Sequence, residues 1–209
     1  MQCPVTAGLV GEWQPVSFVS ADQFFSKLAM FGTTMPCCLI PASCESLPDS
    51  CFAGSRIVRV TFASGSVLKR IGKEAFGGCG QLREIEIPAC VEEIGEACFY
   101  GCSSLSRVTF ASGSALKRIG KGAFSGCKQL REIEIPACVE EIGEGCFQGC
   151  DVAELRISGG NKFFAMMGPL IVARNGMRAV CTFRNVTEIE IPACVEVDGS
   201  LDVRIGRHW

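Results

Sequence analysis

Cys98 and Cys102, and again Cys146 and Cys150, form C-x₃-C pairs, with Cys90 and Cys138 eight residues before the first member of each. Thiolates so placed suggest a structural zinc site, which needs four ligands in tetrahedral reach. A single thiol could also serve as a nucleophile, given a base beside it. The neighbouring carboxylates Glu92/Glu93 and Glu140/Glu141 are the residue types of paired acid/base chemistry. SGGN at Ser158–Asn161 has the glycine content of a phosphate loop.

Each candidate meets an obstacle. The slots of Cys98 and Cys146 hold Ala75 and Ala123 in alternate copies of the same local pattern, so the position asks for a small apolar side chain. His208, the one histidine, stands next to the C-terminus, far from a nucleophile's neighbourhood. The glutamate pairs recur with the pattern and oppose lysine-bearing segments. SGGN lacks the Lys-Ser/Thr of a P-loop and opens no clear helix. The chemistry-bearing residues therefore read as a buried-thiol core and a charged surface. Catalytic residues, metal and cofactor are all expected to be none, and the chain is not read as an enzyme.

Composition narrows the partners. Lys and Arg number 20 against 22 Asp and Glu, a net charge of -2, which gives no electrostatic case for nucleic acid or an anionic membrane. No apolar run approaches the roughly 20 residues of a membrane helix, so no membrane insertion is expected. The start, MQCPVTAGLVGEWQ, has no Lys or Arg and no sustained apolar stretch, so it does not read as a secretory signal and points to the cytosol. The 15 cysteines mostly recur at fixed places, which suits packing, since free cysteine behaves as a small buried hydrophobe.

What positions these residues is a repeat. REIEIPACVEEIGE occurs unchanged at Arg83–Glu96 and Arg131–Glu144. Val60–Cys102 matches Val108–Cys150 at 37 of 43 positions, and every Ile, Leu, Phe and Cys is retained. The 48-residue unit divides into 25 and 23 residues sharing L-x-x-[IV]-x-[IF], then [LV]-x-x-I-G, then [AC]-F-x-G-C. The first segment alternates with period two, as a half-buried strand does. Pro88, Pro136 and Pro192 end it, having no N–H to donate. Gly72, Gly95, Gly120 and Gly143 suit turns with positive φ, and [AC]-F-x-G-C reads as one helical or 3₁₀ turn. One rung cannot bury its apolar side; stacked rungs can, with strands about 4.8 Å apart in a parallel sheet. Lys69, Arg70 and Lys73 then face Glu92, Glu93 and Glu96, and Lys117, Arg118 and Lys121 face Glu140, Glu141 and Glu144, an alternation that resists slippage by one rung.

The pattern L-x-x-I-x-I-P-x-x-V-x-x-I-G-x-x-x-F-x-x-C resembles the BspA-like leucine-rich repeat, of about 23 residues, found in bacterial and protist surface proteins. Leu82, Ile85, Ile87, Pro88, Val91, Ile94, Gly95, Phe99 and Cys102 carry it, and it returns from Leu130 to Cys150. The FASGS insertion (Phe62–Ser66, Phe110–Ser114) resembles the versions of parasitic protists. The implied fold is an α/β solenoid, a right-handed leucine-rich-repeat array with a parallel sheet on one face and short 3₁₀ or helical turns on the other. About seven rungs are expected over 35–197, with an irregular hairpin-like insertion at 158–185. Residues 1–34 form a capping segment, in which Ala21–Phe31 suits an amphipathic helix, and 198–209 form a tail.

The resemblance implies a non-enzymatic role at the cell surface, in adhesion or binding of a host or cellular protein. The residues expected to carry it project outward between the last two apolar positions of each strand: Leu39, Thr61, Glu86, Thr109, Glu134, Arg156 and Glu190. Arg59, Glu84, Arg107, Glu132, Glu154 and Glu188 flank them. Such a concave face is the usual contact surface of solenoids. The alternative reading is a structural or self-assembling array whose open C-terminal edge pairs with another copy.

Overall fold

A computed structural model describes residues 36–168 and 170–174, together with the strand backbones at 178–182, 188–190 and 204–206. Each coil contributes two short strands. The four-residue strands β1 (Cys37–Ile40), β3 (Arg59–Phe62), β5 (Glu84–Ile87), β7 (Arg107–Phe110), β9 (Glu132–Ile135) and β11 (Glu154–Ile157) lie side by side in one parallel sheet, in sequence order. The two-residue strands β2 (Ser46–Leu47), β4 (Arg70–Ile71), β6 (Glu93–Ile94), β8 (Arg118–Ile119) and β10 (Glu141–Ile142) form a second sheet. Glu84 pairs with Arg107 and Arg107 with Glu132, so the 23- and 25-residue periods of the sequence are the physical steps between coils.

β12 (Phe164–Met167), β13 (Leu170–Ala173) and β14 (Arg178–Thr182) then form an antiparallel sheet. The seventh copy of the strand motif contributes β15 (Glu188–Glu190), which pairs in parallel with β16 (Arg204–Gly206) in a separate two-stranded sheet. The N-terminal segment, with its expected helix at Ala21–Phe31, lies outside the described residues.

The alternating apolar side chains enter one continuous core, with Leu82, Ile87, Val91 and Ile94 at 0% exposure. Through it runs a column of rings: Phe52, Phe76, Phe99, Phe124 and Phe147 stack with centroids 5.1–5.5 Å apart and planes within 3°. A second column accompanies it. Cys79, Cys102, Cys127 and Cys150 donate Sγ–H to the carbonyls of Phe52, Phe76, Phe99 and Phe124 in the preceding coil, at 2.9–3.1 Å. These cysteines are more than small hydrophobes, because each satisfies a carbonyl that the core would otherwise leave with spare acceptor capacity.

The expected 3₁₀ or helical turns are absent: among the described residues, [AC]-F-x-G-C forms hydrogen-bonded turns and no helix. The reason is an alternation of donors. Ala75, Gly77 and Cys79 N–H groups donate within the coil, to Gly72, Glu74 and Phe76. Between them, Phe76 and Gly78 donate to Cys98 and Tyr100 of the next coil, at 2.8 and 2.7 Å. A helix needs consecutive local bonds, and every second donor here is spent on a neighbour. Among the described residues the structure is a parallel β-solenoid, without an α-helical layer.

The glycines of the I-G motif also have a different role from the turn role expected of them. Gly72, Gly95, Gly120 and Gly143 are not among the positive-φ residues. They are sites of backbone-on-backbone contact: a Cβ on Gly95 would lie 2.6 Å from the Gly72 carbonyl carbon, and one on Gly120 would lie 2.5 Å from the Glu96 nitrogen. Positive φ occurs two residues later, where Glu74 (52°) and Ala97 (50°) occupy the left-handed region and their counterparts Gly122 and Gly145 (60° each) do so at less steric cost.

Two sets of measurements check this account. In denaturant unfolding, Ala97→Gly should stabilise the protein by about 0.5–1 kcal/mol, the left-handed penalty relieved less the entropy of an added glycine. Gly120→Ala should destabilise by about 2 kcal/mol or more, as overpacking against fixed backbone does. Separately, Cys98, Cys102 and Cys150, all at 0% exposure, should take up a thiol label only after unfolding; fast labelling of the native protein would move them out of the core.

Candidate functional site

The long strands present one face to the core and the other to solvent, which places the expected contact residues in a single exposed column. Leu39 pairs in register with Thr61, Glu86 with Thr109, and Glu134 with Arg156; all six are exposed, Leu39 to 54%. Glu190 is on β15, outside this sheet, and its side chain lies outside the described residues.

Two columns of charge on the molecule behave differently. Along the short strands, pairing between coils is extensive: Lys69–Glu92 (2.9 Å), Arg118–Glu93 (2.6 Å), Arg70–Glu93 (3.4 Å), Lys73–Glu96 (3.3 Å) and Lys121–Glu144 (3.1 Å). The hydrogen bond from Lys69 holds the Glu92 carboxyl below the ordinary carboxylate range, and that from Arg118 does the same for Glu93. Ionised and paired, these glutamates are poorly placed to act as acids, and their role is register.

On the exposed face of the long-strand sheet, Arg59 meets Glu84 at 3.3 Å and Arg156 pairs with Glu154 beside it. Glu86, Glu132, Glu134 and Arg107 enter no ion pair among the described residues. Glu134 accepts a hydrogen bond from Ser158 Oγ at 2.6 Å. The described strand positions of this face carry Glu84, Glu86, Glu132, Glu134 and Glu154 against Arg59, Arg107 and Arg156, a net negative surface.

The strands of this sheet are not equally joined. β1–β3, β5–β7 and β9–β11 pair over four residues each, whereas β3–β5 and β7–β9 pair only at Arg59–Glu84 and Arg107–Glu132. The closed junctions end with a hydrogen bond from the residue after the later strand: Ala63 to Ile40 (2.9 Å), Ala111 to Ile87 (3.0 Å) and Ser158 to Ile135 (2.9 Å). At the open junctions that residue is Pro88 or Pro136, which has no N–H to give the Phe62 or Phe110 carbonyl. Beside the β7–β9 opening lies a cavity of about 600 Å³, floored by strand residues and walled by the FASGS loop and the Pro136–Cys138 turn.

The other chemical candidates fall into place without a reaction. Among the described cysteines, burial raises Cys51 to about 12 and holds Cys98 well above the ordinary thiol range. A neutral, enclosed thiol is a weak nucleophile. Among the described residues no group of three or more His, Cys, Asp or Glu gathers as a metal site would require, and no helix is long and apolar enough to cross a membrane. His208 lies outside the described residues.

SGGN is a loop, but its asparagine does more than turn the chain. Asn161, 6% exposed, donates to the carbonyls of Pro136 and Val139 at 3.2 and 3.0 Å and accepts from the amides of Phe163 and Phe164 at 2.8 Å. Its side chain fastens the antiparallel segment to the coil below. The only trace of this in the sequence is a polar residue next to a run of apolar ones.

Comparison with known proteins gives this arrangement a family. A search of curated protein sequences finds no match. Among solved structures, the pneumococcal vaccine antigen PcpA is similar at 26% identity with a TM-score of 0.69, over 77% of this chain and 40% of that one. The present chain thus spans well under half of that protein. A T. pallidum leucine-rich repeat protein is 26% identical, with a TM-score of 0.50 over 84% and 73% of the two chains. A leucine-rich cell surface protein of Faecalibacterium prausnitzii shares the fold at 20% identity and a TM-score of 0.54, over 82% and 57%. The BspA type leucine-rich repeat profile matches residues 29–165 in six copies, and with its strands, glycines and phenylalanine column in those places the chain belongs to the BspA-type leucine-rich repeat family.

Proposed function

We propose that this protein is a non-enzymatic binding module whose contact surface is the exposed column Leu39, Thr61, Glu86, Thr109, Glu134 and Arg156, to which the strand motif adds Glu190 of the separate β15–β16 sheet. One observation carries the reading. The carboxylates of Glu86, Glu132 and Glu134 stay outside ion pairs on a face where Arg107 and Arg156 are near, while Glu92, Glu93, Glu96 and Glu144 of the short-strand edge are each paired with a lysine or arginine of a neighbouring coil. Carboxylates outside ion pairs on a regular, rigid surface are available to a ligand, and electrostatic complementarity sets specificity and association rate. The partner is accordingly a protein with a basic contact surface.

The cell-surface setting draws support from two similar proteins, a pneumococcal vaccine antigen and a leucine-rich cell surface protein. Adhesion to a host protein is the role such a setting suggests. We read the repeats as spanning 35–197, with the stacked parallel sheet ending at β11, 1–34 as an N-terminal cover and 198–209 as a tail that contributes β16.

The test is charge reversal. Glu86→Lys with Glu134→Lys, both exposed, should leave the thermal midpoint within a degree or two, since exposed substitutions change stability by at most about 0.5 kcal/mol. The same variant should lose capture of host or cellular proteins identified by mass spectrometry. Capture that persists unchanged would argue against this face. Concentration-dependent sedimentation that a capping repeat suppresses would favour self-association through the edge instead.

A further inference from the structure

We infer that the cavity at the β7–β9 opening is a side-chain pocket that takes an arginine from an extended segment of the partner; this rests on the protein-binding reading of the face. The pocket is built before any ligand arrives. Cys138 Sγ donates to the Ser114 carbonyl at 3.0 Å and ties the FASGS loop to the Pro136–Cys138 turn, and Ala115 N–H donates to Ala89 at 2.8 Å from the other side. The opening itself follows from Pro136, which withholds the donor that closes the neighbouring junctions and leaves the Phe110 carbonyl at the rim.

Its walls select for a cation that can donate several hydrogen bonds. Glu132 and Glu134 both line the cavity together with Arg107, while Arg156, in register with Glu134, stands outside the lining. Ser158 occupies one acceptor site of Glu134, and an ionised carboxylate has about four. Phe110, half-buried, supplies an aromatic surface against which a planar guanidinium can lie. Carboxylate oxygens, a backbone carbonyl and a ring together match the fork of a guanidinium better than the point charge of an ammonium. A volume of about 600 Å³ admits the whole side chain.

The probes are a terminally blocked Gly-Ser-Arg-Ser-Gly peptide and its citrulline analogue, which keeps shape and loses charge. In amide chemical-shift titrations of the full chain, the arginine peptide should saturate shifts at Gly113, Ser114 and Ala137. The citrulline peptide should bind at least about tenfold more weakly, as expected for a charge-assisted contact. Ala137→Trp, at an exposed wall position, should fill the cavity and abolish the shifts, whereas Gln129→Trp, exposed and outside the cavity lining, should leave them intact with the same added bulk. Equal binding of the two peptides, or arginine binding that survives Ala137→Trp, overturns the pocket. Either result leaves the wider face standing on its own capture experiment, so the two failures are separable.

Discussion

The coils of this solenoid come within main-chain contact of one another at Gly72, Gly95, Gly120 and Gly143, and that approach governs the rest. With no side chain between them, successive backbones settle at strand spacing along two sheets at once. At that spacing the phenylalanines stack ring on ring, the thiols reach the carbonyls of the coil below, and alternate amides of the turn segment find acceptors in the coil above. Each of these contacts is modest by itself. They share one geometry, so the repeat that fixes one fixes all of them, and the core is a column rather than a ball.

The same geometry explains why the molecule has a smooth side and an interrupted one. On the short-strand side, at least one pair of opposite charges bridges each step from β4 to β10, as Lys69 with Glu92, Arg118 with Glu93 and Lys121 with Glu144. On the long-strand side, proline enters at every second step, and the sheet alternates between full pairing and a single point of contact. The face that carries Glu86, Glu132 and Glu134 is therefore also the one with built-in openings, and the openings follow from one residue that cannot donate.

Much of the architecture was legible in the sequence because it rests on local period. Leu82, Ile85 and Ile87 announce a half-buried strand by spacing alone, and identical copies 48 residues apart imply stacking. Charge alternation between LKRIGK and VEEIGE anticipates Lys69–Glu92, Arg70–Glu93, Lys73–Glu96 and Lys121–Glu144, whereas Lys117 and Arg118 pair with Glu92 and Glu93 of the preceding coil and not with Glu140 and Glu141. What local reading missed lies between coils. Gly95 looks like a turn residue until the carbonyl of Gly72 is seen against it. Phe99 and Cys102 suggest a helical turn because the sequence does not display that Phe99 N–H is committed to Ala123. Pro136 was recognised as a strand terminator, yet its effect on the strand before it depends on which neighbour needed its missing hydrogen. Asn161 reads as an ordinary loop residue, since the Pro136 and Val139 carbonyls it binds lie more than twenty residues away.

The alternation at Pro88 and Pro136 makes the indivisible unit of this protein a pair of coils. Removing or adding a single coil would set two basic edges or two acidic edges in apposition and would misplace the open junction relative to the longer loop. Growth and shrinkage of such an array are compatible with its bonding only in steps of two. The length of the protein is thus subject to a parity rule, and variants that lengthen it by one full unit inherit a complete interface without any new complementarity having to arise.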